Sequence, residues 1–152
     1  MTDMILCPTR GGQDSYPNQD RAIALAKERG EELLFLYVSN VEFLGLTASP
    51  ILVDVEHELD EMGEFMLTMA QERADQAEVT SSTIVKHGQY QDVLVDVINE
   101  YNIGTVVMGF SAGGTGVVTE GYIHGLVEEI GGKTGVEFII VDKGEIIKTY
   151  KP

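Results

Sequence analysis

Residues 103–141 alternate in character. An apolar run, Ile103-Gly-Thr-Val-Val-Met-Gly109, leads into a stretch dense in glycine (Gly109, Gly113, Gly114, Gly116). An amphipathic segment follows, and then a second apolar run, Val136-Glu-Phe-Ile-Ile-Val141. Both runs are too short for helices and apolar throughout, as strands buried on two faces are. The order is therefore strand, glycine loop, helix, strand. Such a unit places backbone N–H groups and a helix N-terminus around an anion. The chain opens with a similar unit, Met4-Ile-Leu-Cys-Pro-Thr-Arg-Gly-Gly12.

Between these ends the pattern repeats. Leu33–Val38 and Thr80–Lys86 read as two further strands. Ala22, Ile23, Leu25 and Ala26 give one helical face, with Asn18 or Asp20 as its cap and Gly30 placed to end it. Ser39–Val53 has no clear period and contains Pro50, and it reads as loop with room for irregular helix. From Asp54 to Ala77, Leu59, Met62, Phe65, Met66, Met69 and Ala70 recur at helical spacing and predict a core-facing stripe. Val93, Leu94, Val97, Ile98 and Tyr101 line a third helix, and Ile123, Leu126, Val127 and Ile130 a fourth. Strands alternating with helices imply an α/β three-layer sandwich on a parallel sheet, with right-handed crossovers. Ligands of such sheets sit at the strand C-termini. Beyond the fifth strand, Lys143-Gly144 reads as a two-residue turn and Ile146–Tyr150 as an extra C-terminal strand. A bare fifth strand is an association hazard, so the tail is expected to cover it, within its own chain or at an interface.

Composition bounds the function. A chain of 152 residues suits one domain, residues 1–152. Its net charge of −15 excludes nucleic acid and anionic membranes as partners. The single cysteine, Cys7, lies in an apolar run and forms no intrachain disulfide, as in a reducing cytoplasm. No run reaches the roughly 18 apolar residues of a membrane span, so no membrane insertion is expected. His57, His87 and His124 lack metal-ligand spacing, and the acids of 54–64 read as a solvated helix face. No G-x-S-x-G elbow is present. The reading is a non-enzymatic protein of the cytoplasm, without metal or catalytic residues.

The opening strand, Leu33-Leu-Phe-Leu-Tyr-Val38, Lys86-His-Gly88, Thr105-Val-Val-Met-Gly109 and Phe138-Ile-Ile-Val141 together resemble the landmarks of the universal stress protein family. The resemblance covers nearly the whole chain. It implies five parallel strands in the order 3-2-1-4-5, a homodimer paired through the fifth strand, and, in some branches, ATP binding. Carried onto this sequence, the binding residues are Thr9, Arg10, Gly11, Val38, Gly109, Gly113, Gly114, Thr115 and Gly116, around ATP or another adenine nucleotide with Mg. Two departures weaken that site. Arg10 stands where the ATP-binding branch has an acid. The pattern G-x2-G-x9-G-[ST] fails from Gly109, where it falls on Ala112, Tyr122 and Ile123, and from Gly113 as well. The implied function is a stress-response regulatory module acting as a homodimer, with weak or absent nucleotide binding. The alternatives are a nucleotide-binding switch with slow hydrolysis, or a soluble regulator of an ion transporter. Cys7-Pro-Thr-Arg-Gly-Gly12 suggests the latter, since it is similar to the opening of stress-protein-like domains attached to some transporters. Partners would then include another stress or transport protein.

Overall fold

The computed structural model describes residues 3–9, 15–39, 50–109 and 120–151, with the backbone alone for 50–56 and 120–122. The strands are β1 (Met4–Pro8), β2 (Glu32–Ser39), β3 (Ser81–His87), β4 (Ile103–Gly109), β5 (Glu137–Asp142) and β6 (Glu145–Tyr150). The helices are α1 (Tyr16–Arg29), α2 (Pro50–Gln76), α3 (Tyr90–Glu100) and α4 (Glu120–Thr134). One sheet runs β3-β2-β1-β4-β5-β6. Its first five strands are parallel, and β6 returns antiparallel along β5. The expected order and the extra strand are both present.

Alternate residues of the apolar runs feed two cores. Ile5, Cys7, Leu33, Phe35, Val107 and Ile139 pack with α1 and α2 on one face. Leu6, Leu34, Leu36, Val106, Phe138 and Ile140 pack with α3 and α4 on the other. Continuous hydrophobicity is what a strand with no solvent face requires.

Two helix starts differ from the sequence reading. α1 begins at Tyr16 with Ser15 as its N-cap, so Asn18 lies in the first turn and Pro17 occupies the early position where a missing N–H costs nothing. α2 begins at Pro50 for the same reason, ahead of the expected Asp54. Gly30 ends α1 in the left-handed region, φ 67°. The Lys143-Gly144 turn has φ of 52° and 84°. Both are positive, as the hairpin turn matching strand twist requires.

The stripe on α2 also differs. Gly63, Leu67, Ala70 and Ala74 are buried, whereas Met62 and Phe65 are 54% and 63% exposed. Small residues face the sheet because the helix comes close to β2. A Cβ on Gly63 would stand 2.6 Å from Cδ1 of the Tyr37 ring. The large apolar residues therefore turn outward, and the expected core placement of Met62 and Phe65 is corrected.

Cys7 is buried among apolar side chains, and this burial pushes its thiol from 9.0 up to about 12. The folded value lies above the unfolded one. Its contribution to stability is therefore complete below pH 9 and is lost as the pH rises towards 12. Wild-type stability is expected to fall above pH 9 by a component that Cys7→Ala lacks, as read by denaturant titration. Rapid modification of the native thiol at neutral pH would contradict the burial. Gly63→Val is expected to cost about 1–3 kcal/mol by overpacking. Gly63→Ala in a Tyr37→Ala background should instead be neutral or stabilising, since alanine favours helix by about 1 kcal/mol.

Candidate functional site

The parallel strands end together on one side of the sheet. Thr9 follows β1, Val38 lies one residue before the end of β2, and Gly109 closes β4. These three expected site residues thus sit at the ends of adjacent strands. Arg10, Gly11, Gly113, Gly114, Thr115 and Gly116 lie outside the described residues.

α1 starts beside these strand ends, and its first turn supplies contacts to them. The Gln19 amide donates from Nε2 to Thr9 Oγ1 at 2.9 Å. Thr9 N–H donates to the Leu36 carbonyl at 2.8 Å. Thr9 is held from both ends of the residue. Gln19 is 1% exposed, and its Oε1 has no hydrogen-bond partner among the described residues, nor does Ser39 Oγ. Both are buried polar atoms near the strand ends, where unsatisfied groups carry a desolvation cost.

Asn18 joins the crevice to the hairpin. Its Oδ1 accepts from Gly144 N–H at 3.0 Å. Its Nδ2 lies where it would meet a Cβ on Gly109, at 2.7 Å. Arg21 Nε donates to the Gly144 carbonyl at 2.7 Å. Gly144 is also tight against Pro17, with a Cβ there standing 3.1 Å from the Pro17 carbonyl oxygen. The first turn of α1 is thereby locked to the β5–β6 turn. From the other side, the Arg73 guanidinium of α2 lies 4.3 Å from the Tyr16 ring centroid and pairs with Asp20 at 2.5 Å. The Asn-Gln-Asp run at 18–20 was the available signal, but polar residues at a helix start read as caps.

An open groove of about 480 Å³ lies elsewhere, between β3 and α3. Lys86, His87, Val93, Asp96, Asn99 and Glu100 line it. Lys86 pairs with Glu100 at 3.6 Å, and His87 with Asp60 on α2 at 2.7 Å. Lys86 and His87 are thus both engaged by carboxylates of their own chain. No group of three or more His, Cys, Asp or Glu side chains among the described residues is arranged to hold a metal. No described helix is long and apolar enough to cross a membrane.

Comparison with known proteins agrees with this architecture. The universal stress protein family profile matches residues 1–119. No curated protein matches the sequence. Among solved structures, UspA from Lactobacillus plantarum is similar at 18% identity, covering 91% of this chain and 97% of its own, with a TM-score of 0.71. A universal stress protein in complex with cAMP is 18% identical over 93% and 98%, TM-score 0.61. One from Archaeoglobus fulgidus in complex with dAMP is 11% identical over 92% and 97%, TM-score 0.59. The chain belongs to the universal stress protein family.

A methyl group on Gly109 must displace the Asn18 amide, whose other end is tied to Gly144. Gly109→Ala is expected to cost about 1–2 kcal/mol by crowding and loss of that hydrogen bond. In an Asn18→Ala background most of that cost should vanish. Denaturant unfolding of the four proteins reads the coupling. Additive costs would mean that Asn18 does not fill the space over Gly109.

Proposed function

We propose that the protein is a non-enzymatic regulatory module of the stress response, acting in the cytoplasm as a homodimer and binding adenine nucleotides weakly or not at all. The observation that carries this reading is the state of the crevice itself. Its strand-end residues are committed to intramolecular contacts: Thr9 to Gln19 and to Leu36, and the space over Gly109 to Asn18. A polyanion approaching so acidic a chain also meets repulsion unless Arg10, Mg²⁺ or local N–H groups offset it. Two relatives of the same fold are seen with cAMP and dAMP. Their ligands support an adenine nucleotide, rather than another class of anion, as the first molecule to test. Any such nucleotide would lie between Thr9-Arg10-Gly11, Val38 and the glycines of 109–116.

Calorimetry with ATP, AMP and cAMP, with and without Mg²⁺, tests the reading. Expected is no submicromolar affinity for ATP and no phosphate release on long incubation. Any weak binding should fall further in Arg10→Ala. Submicromolar ATP binding, or turnover that Arg10→Ala abolishes, would favour the switch reading instead. Sedimentation equilibrium tests the homodimer, and a monomer at all concentrations would refute it.

A further inference from the structure

The sheet has two edges, and they are finished differently. β6, at one end, is shifted in register against β5 between Ile140 and Val141 and carries an exposed lysine, Lys148. Bulges and lysines blunt an edge against strand addition. β3, at the other end, has no proline, and its register with β2 is unbroken from Ser81 to His87. Its one lysine, Lys86, is drawn to Glu100 of α3 at 3.6 Å.

The hydrogen bonds to β2 show which backbone groups of β3 turn outward. Leu33 N–H donates to the Thr80 carbonyl at 3.1 Å, and Gly88 N–H to the Ser39 carbonyl at 3.2 Å. Along a parallel strand, residues that bond one neighbour alternate with residues that face the other way. The even-numbered residues of β3 therefore face β2, and Ser81, Thr83, Val85 and His87 turn their N–H and C=O groups away from it. Gln71 of α2 caps the Ser81 carbonyl, donating from Nε2 at 3.0 Å. The outward N–H and C=O groups of Thr83 and Val85 have no partner among the described residues.

Acids flank this row on both sides. The His87 ring pairs with Asp60 of α2 at 2.7 Å, so Asp60 and Gln71 mark the face of α2 that lies along β3. Glu64 and Asp75, both exposed, fall on that same face at helical spacing. Across the strand, Asp96 and Glu100 line the groove between β3 and α3. Glu64, Asp75 and Asp96 make no ion pair among the described residues. β3 and α3 hold no lysine or arginine besides Lys86, and Arg73 of α2 turns to α1, where it pairs with Asp20.

We infer that the β3 edge takes an extended, lysine- or arginine-rich segment of another protein as an added strand, its backbone on Thr83 and Val85 and its basic side chains against Asp96 in the α3 groove and Glu64 and Asp75 on α2. Strand addition supplies affinity through the main chain, and the side chains that alternate to the two faces supply selectivity. Charge chooses the occupant. Pairing β3 with β3 of a second copy brings acids of both chains together along both flanks, whereas a basic segment meets opposite charge on each. The surface is independent of the crevice and of the homodimer.

A capped peptide as long as β3, Thr-Lys-Lys-Val-Lys-Lys-Thr, presents lysines to both faces and is the probe; its glutamate-for-lysine version is the control. Titrated into the isotope-labelled full chain, the lysine peptide is expected to shift the amides of Thr83 and Val85 and protect them from hydrogen exchange. The glutamate peptide should do neither, and binding should weaken as salt rises. Glu64→Lys combined with Asp96→Lys, both at exposed positions, should weaken binding at least about tenfold. Thr83→Pro removes an outward N–H and no ladder bond, so the fold should survive, as circular dichroism checks, and the peptide should no longer bind. Should that variant unfold, protection of the Thr83 and Val85 amides in the wild type decides. No binding of the lysine peptide, or equal binding of the glutamate peptide, would overturn the inference. Undiminished binding to folded Thr83→Pro would show attraction by charge without an added strand. Self-association of the wild type that Thr83→Pro abolishes would give the edge to a second copy and overturn the choice of partner.

Discussion

A parallel sheet ends in strands whose outer backbone groups need a partner, and here the last parallel strand obtains one from its own chain. β6 pairs antiparallel with β5, so Phe138 faces Tyr150 and Ile139 faces Thr149. The turn that permits this holds both its central residues at positive φ, and Gly144 offers its N–H to Asn18 and its carbonyl to Arg21. One glycine thus ties the tail to the first turn of α1. The same asparagine fills the space over Gly109, and the next residue, Gln19, fixes Thr9. The edge of the sheet and the floor of the crevice are held by neighbouring side chains of one helical turn.

The other end of the sheet follows a different rule. α2 lies against β2 through Gly63, Leu67, Ala70 and Ala74, close enough that a methyl group on Gly63 would strike Tyr37. Close approach by small residues consumes the helix's sheet-facing side and turns Met62 and Phe65 to solvent. α1 and α2 are joined by Arg73, stacked on Tyr16 and paired with Asp20. At the opposite ends of the strands, Arg29 bonds Glu137 at 3.0 Å and Thr105 at 3.2 Å, tying the end of α1 to β4 and β5. α1 is consequently anchored at both ends, and its N-terminal turn cannot shift without disturbing both the crevice and the hairpin.

Much of this was legible in the sequence because it depends on local pattern. Buried strands announce themselves as short apolar runs, Gly30 as a helix stop, and Lys143-Gly144 as a hairpin turn with a strand-like segment after it. Residues whose roles are set by distant partners were not legible. Asn18 and Gly144 are 126 positions apart, and nothing near Asn18 distinguishes a hairpin ligand from a cap. Gln19 reads as a surface residue until α1 is laid over β1. Met62 and Phe65 recur at the same helical spacing as true core residues, and only the approach of Tyr37 to Gly63 decides which stripe faces inward. Of the candidate site, Thr9, Val38 and Gly109 were recognisable as strand ends. The residues that restrain Thr9 and Gly109 come from the first turn of α1, where polar side chains read as caps.

The account rests on β6 closing the sheet within its own chain, which is what fixes Asn18 over Gly109 and leaves Ile146 and Ile147 facing outward. An isotope-filtered nuclear Overhauser experiment on an equal mixture of labelled and unlabelled protein, unfolded and refolded together, tests it most directly. The expected result is strong contacts between β5 and β6, Ile139 to Thr149 and Phe138 to Tyr150, found only within one chain. Contacts between these residues on different chains would show an exchanged strand and contradict it.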